Sequence, residues 1–122
     1  MRKREIRAGE EGTVICSLSE IPWVPHPEVS GLERGTLVTA AVGRPAWFLT
    51  RIPAGATVPL HATATTDYVI VIAGSVELLF EDGSASMLSV GHFVVQHGRS
   101  HGWHNPGSEA AVLSVVMSPT RT

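Results

Sequence analysis

Residues 55–74 read G-A-T-V-P-L-H-A-T-A-T-T-D-Y-V-I-V-I-A-G. Glycine opens and closes the segment, Thr, Val and Ile dominate it, and its polar groups are few and spaced. β-Branched side chains of this kind favour the pleated surface of a strand. Along an extended strand alternate side chains share a face, which places His61, Thr63 and Thr65 on one surface. An imidazole beside hydroxyls is what the wall of a pocket needs. Residues 69–73 are apolar on both faces, so this strand requires cover on both sides.

The flanking sequence repeats the pattern. Pro53-Ala54-Gly55 is a turn that delivers a strand at 46–52 into the segment. Gly74 permits a bend between strands at 67–73 and 75–81, and Asp82-Gly83 is a type I′ hairpin signal ahead of a strand at 85–90. Further strands are expected at 92–96, 101–105 and 109–117, separated by Gly98 and by Pro106-Gly107. Upstream, 13–18 and 36–42 read as strands and 31–35 as a turn. Pro22, Pro25 and Pro27 make 21–27 an extended arm outside any ladder, because proline has no N–H to donate. No window shows helical periodicity, so the fold class is all-β, a sandwich or barrel in one domain. Within it, 1–45 supplies N-terminal strands and a proline-rich arm that pack on a barrel core at 46–122.

A chain of 122 residues buries about two-thirds of its unfolded surface and folds without staples. Hydrophobic residues are 43% and charged residues 16%, apolar for so small a domain, which predicts a homodimer that covers 69–73 or 112–117. The net charge of −2 offers no electrostatic basis for nucleic-acid binding. Cys16 is the lone cysteine and cannot close an internal disulfide, in keeping with a reducing compartment. Glu5, Arg7, Glu10 and Glu11 interrupt any signal-like apolar stretch, and no run approaches the roughly 18 apolar residues of a membrane span. The expected location is cytoplasmic, with no membrane partner.

A second informative segment, residues 91–105, reads G-H-F-V-V-Q-H-G-R-S-H-G-W-H-N. As a strand its end places His101, Trp103 and Asn105 on one face and Gly102 and His104 on the other. Trp103 and Trp47 are candidate stacking platforms for a planar ligand, and Gln96 is a candidate for orienting it near the pocket mouth. His92, His97 and His104 read as surface residues, His26 as a loop residue without a role, and Tyr68 as packing. Gly98-Arg99-Ser100-His101-Gly102 matches G-x-S-x-G, but Trp103-His104-Asn105-Pro106-Gly107 cannot start the helix a nucleophile elbow requires.

These two segments together resemble the cupin superfamily. The first cupin motif, G(X)5HXH(X)3,4E(X)6G, is matched at Gly55, His61 and Gly74, with Thr63 at the second histidine position and Asp67 at the glutamate. The second, G(X)5PXG(X)2H(X)3N, is matched at Gly91, Gly98, His101 and Asn105, with one residue fewer after Gly91 and Gln96 near the proline position. The resemblance covers about 46–117. H-x-T-x-T-x-D-Y followed by V-Q-x-G-x-x-H-x-W is similar to a subgroup of small single-domain cupins in which threonine replaces the second histidine.

The resemblance implies a double-stranded β-helix, the jelly-roll cupin barrel, that encloses a small-molecule ligand and often dimerises. It implies a metal set of His61, Asp67 and His101 for one divalent Fe, Mn, Ni or Zn ion. The alternative is a metal-free pocket in which His61 and His101 carry protons and Thr63 contacts the substrate. The function expected is a cupin-type enzyme with lyase, isomerase, cyclase or oxygenase chemistry on a small organic acid or aromatic, polyketide-like compound. The competing expectation is a non-enzymatic binding module without metal.

Overall fold

The structure, a computed structural model, describes residues 16–39 and 42–119. Among the described residues ten strands carry the fold: β1 (Val24–Pro25), β2 (Glu33–Val38), β3 (Ala46–Ile52), β4 (Thr57–His61), β5 (Thr65–Ala73), β6 (Val76–Phe80), β7 (Ala85–Leu88), β8 (Phe93–His97), β9 (His101–His104) and β10 (Ala111–Pro119). They form two antiparallel sheets, one in the order β1-β2-β3-β10-β5-β8 and one in the order β4-β9-β6-β7. Strands adjacent in space are mostly distant in sequence, which is the jelly-roll arrangement expected from the motifs. Among the described residues no helix is long and apolar enough to cross a membrane.

Strand alternation builds the core between the sheets. Phe48, Ile52, Val69, Val71, Leu113 and Val115 face inward from the larger sheet, against Val58, Val76, Leu78 and Trp103 from the smaller. A second cluster lies on the outer face of the larger sheet, where Ile21, with Trp23 beside it, covers Leu37, Leu49 and Val112. Gly35 makes this possible: a Cβ there would collide with the Ile21 side chain. Arg51 fastens the layer, with its guanidinium 4.6 Å from the Trp23 ring centroid and its Nε 2.7 Å from Glu33 Oε1. The arm thus covers the outer side of β3 and part of β10, while Tyr68, Ile72, Phe93 and Val95 on β5 and β8 stay exposed.

Four local expectations are corrected. Leu18 lies in a 3₁₀ turn, Leu18–Glu20, and residues 16–17 are not in a strand; 13–15 fall outside the described residues. Val24 and Pro25 do pair, opposite Arg34 and Glu33, because β1 is an edge strand and a missing N–H costs nothing on the open side. β2 begins at Glu33 and contains Gly35, since the arm needs that close approach. The Asp82-Gly83 hairpin forms, but no described non-glycine residue has positive φ, so the turn is not type I′. Gly83 alone is left-handed there, and its N–H closes on Phe80 O at 3.0 Å.

Candidate functional site

A cavity of about 450 Å³ opens between the sheets, and its chemistry comes from His61, Thr63, Asp67, His101, Trp103 and Arg34. His61 reaches this wall through an irregularity in the β4–β9 ladder. Val58 pairs with Trp103 and His61 with His101, three residues along β4 against two along β9. Regular alternation from the buried Val58 would turn Leu60 inward and His61 outward. The extra residue reverses that parity, as bulges do when they re-aim a side chain. Gly102 lets the bulge lie flat, since a Cβ there would sit 2.5 Å from Val58 O and 3.3 Å from Leu60 N.

The imidazole rings of His61 and His101 lie 4.8 Å apart, centroid to centroid, tilted by 53°. His61 Nδ1 is 2.9 Å from Pro59 O, and His101 Nδ1 is 2.9 Å from Arg99 O. A carbonyl oxygen only accepts, so both Nδ1 atoms carry a proton, and in the neutral form of each ring Nε2 is the nitrogen with the lone pair. Trp103 meets His101 edge-on at 6.0 Å and closes the wall behind it. Burial pushes the His101 pKa below the ordinary value of 6.5, with the neighbouring Asp67 acting the other way.

Asp67 is buried, and desolvation raises its pKa above the ordinary carboxylate value; the Thr65 hydroxyl opposes this most strongly among its neighbours. Thr65 Oγ1 donates to one carboxylate oxygen at 2.6 Å and Thr63 Oγ1 to the other at 3.3 Å. Thr63 and Thr65 act together despite the strand break at 62–64, because the corner between β4 and β5 folds both onto Asp67.

The structure brings His61, Thr63, Asp67, His101 and Trp103 to the cavity and leaves two candidates away from it. Trp47 is on the outer face, 38% exposed, with its indole N–H donating to Ser114 Oγ at 2.8 Å. Phe48 and Thr50 take the inward positions of β3 instead. Gln96 does not line the cavity; it is buried opposite Asp67 in the β5–β8 ladder, and among the described residues its Nε2 has no hydrogen-bond partner. Asn105 is a clasp: fully buried, it donates to Ile52 O at 2.9 Å and Glu109 O at 2.8 Å and accepts from Gly107 N at 2.9 Å. His104 faces the other side and pairs with Glu77 at 2.7 Å.

Residues N-terminal of position 46 contribute more to the cavity than the sequence reading assigned them. Arg34 and His26 both line it. His26 Nδ1 accepts from the backbone N–H of Glu28 at 3.1 Å and of Val29 at 3.0 Å, which fixes the neutral ring with its proton on Nε2. Desolvation, then the charge of Arg34, lowers its pKa. Read as part of a turn at 31–35, Arg34 has no assignable face; it acquires one because β2 begins at Glu33.

The donor set does not fit the three-ligand metal site that the resemblance implies. Among the described residues no three His, Cys, Asp or Glu side chains gather closely enough to hold one ion, and both oxygens of Asp67 are engaged by hydroxyls. What the site presents is a pair of imidazole lone pairs backed by a buried acid.

The fold and this pocket define a small cupin-type barrel, and comparison with known proteins agrees. No protein-family model matches the sequence. The polyketide cyclase RemF from Streptomyces resistomycificus superposes with a TM-score of 0.74 at 16% identity, covering 89% of this chain and 81% of that one. An RmlC-like cupin from Shewanella frigidimarina superposes with a TM-score of 0.67 at 20% identity, covering 87% and 90%. In sequence, the chain is 41% identical over 46 residues to Oryzines biosynthesis cluster protein J of Aspergillus oryzae, covering 38% of this chain and 26% of that protein. It is 36% identical over 47 residues to the cupin-domain-containing oxidoreductase virC of Hypocrea virens, covering 38% and 24%. The match thus spans about a quarter of the length of these curated relatives. The chain thus has the fold of these cupin structures.

Proposed function

We propose that the protein is a small-molecule enzyme of the lyase, isomerase or cyclase type, and that His61 and His101 transfer protons on an enolisable organic acid or polyketide-like aromatic. The observation that carries this reading is the pair of rings 4.8 Å apart, each with Nδ1 tied to a backbone carbonyl and Nε2 free. Burial keeps His101 neutral near pH 7, so its Nε2 accepts a proton from an activated C–H or O–H. The imidazolium formed is stabilised by Arg99 O at Nδ1–H and by the Asp67 carboxylate, whose effect grows in the apolar cavity. His61, closer to solvent, returns or removes the proton. The biosynthesis-cluster relative and the cyclase of like fold support small-molecule chemistry of this kind.

The test is deuterium wash-in from D2O at the acidic carbon of a panel of 1,3-diketones and polyketide-like aromatic acids, followed by NMR. His101→Ala is expected to keep the fold and lose about 10²-fold or more in rate. Undiminished wash-in in His101→Ala overturns the reading. We also propose that a second copy of the chain covers Tyr68, Ile72, Phe93 and Val95. A monomer in sedimentation velocity at micromolar concentration overturns that assignment.

A further inference from the structure

We infer that the cavity recognises a carboxylate, with Arg34 as the specificity-determining residue that anchors the acid end of the ligand and His26 as its second donor. This rests on the reading of the cavity as the substrate site and adds what that reading leaves open: which group orients the substrate.

Arg34 projects from β2 into the cavity, next to Thr50 across the ladder, with its guanidinium 5.6 Å from the centroid of the Phe48 ring. Its Nε is buried and has no hydrogen-bond partner among the described residues. Among the described residues no carboxylate pairs with it. The other arginines placed near acids behave differently: Arg51 makes two hydrogen bonds to Glu33, and Arg99 lies 3.9 Å from Asp82. A buried N–H of a charged group left unsatisfied is costly, and a bound acceptor removes that cost.

The surroundings select the kind of acceptor. His26 holds Nδ1 against the backbone and so offers Nε2–H from the opposite edge of its ring, within electrostatic reach of Arg34. A guanidinium fork matches a planar carboxylate in two parallel hydrogen bonds. Arg34 is the one guanidinium among the lining residues and has an apolar stretch of wall at Phe48, Leu113 and Val115 in the same cavity, which suits a single negative charge on an apolar body better than a phosphate dianion. The two acids on the wall do not oppose this. Glu28 is exposed, and Asp67 stands three strands from Arg34 in the sheet, its oxygens occupied by Thr63 and Thr65. The ligand therefore lies with its acid at β2 and its apolar part over Phe48, toward His101.

Calorimetric titration of the full chain with 2-naphthoate, its neutral isostere 2-naphthamide and 2-naphthyl phosphate tests this without turnover. The carboxylate is expected to bind about ten-fold or more tightly than the amide, the scale of one charge-assisted pair. Arg34→Leu and Arg34→Gln should each abolish that preference, Arg34→Lys should restore part of it, and His26→Phe should reduce it. Arg44→Leu, at an exposed position off the cavity, should leave it unchanged. Equal binding of acid and amide, a preference that survives in a folded Arg34→Leu or Arg34→Gln, or tighter binding of the phosphate overturns the inference. Naphthoate preference without deuterium wash-in on any acid sinks the proposed chemistry alone. Wash-in without any anion preference sinks this inference alone.

Discussion

Gly102→Ala separates the bulge account from a general packing account. The new Cβ would stand 2.5 Å from Val58 O, whereas ordinary contact begins at 3.4 Å, so the β4 backbone must retreat by about 0.9 Å at that point. Backbone atoms of Pro59 and Leu60 lie 3.3 Å away on the same side, so the whole bulge moves rather than one side chain. Overpacking of this size costs about 1–3 kcal/mol of stability. The larger effect falls on the site. His61 rides on the bulge, and a displacement near 1 Å of a reacting group costs on the order of 10²-fold in rate. Urea unfolding and deuterium wash-in on the same preparation measure both quantities. A variant with wild-type stability and undiminished wash-in refutes the claim that Gly102 seats the bulge and the bulge aims His61.

Asn105→Leu leaves Ile52 O and Glu109 O without their donor and should cost about 2–5 kcal/mol in urea unfolding; a loss below 1 kcal/mol would mean the clasp is dispensable. Thr65→Val removes the strongest hydrogen bond to Asp67, which now holds its pKa down against desolvation, so the carboxyl should titrate at still higher pH in ¹³C NMR; an unchanged or lower value contradicts the assignment. His101 has a folded-state pKa below its unfolded value, so the unfolded chain binds the extra proton first on acidification. Stability should therefore fall as pH drops through the ordinary imidazole value of 6.5 toward the lower folded one, and His101→Gln should flatten that slope. A wild-type stability that rises on acidification across this window has the wrong sign for a buried neutral ring.

Strand patterning made a sandwich or barrel legible, and the match of the glycine-to-histidine spacings to the cupin motifs singled out its two key imidazoles. The route by which His61 faces inward was not legible. Residues 57–65 look like one strand by alternation, and only Pro59, which lacks a ladder donor, together with Gly102 on a different strand, hints at the bulge. Trp47 was misplaced for a related reason: Trp47, Phe48 and Leu49 are all apolar, so period-two patterning cannot say which parity faces the cavity. Arg34 was missed because 31–35 reads as a turn and His26 because 21–27 reads as an arm outside any ladder; both reach the cavity through β2 pairing with β3, a long-range contact that local composition does not encode.

Long-range ¹H–¹⁵N NMR of the imidazoles, recorded above the titration range of both rings, tests the central arrangement most directly. His61 and His101 should both show a protonated Nδ1 and a bare Nε2, as their hydrogen bonds to Pro59 O and Arg99 O require. A protonated Nε2 on either ring would remove a lone pair from the cavity and contradict the account.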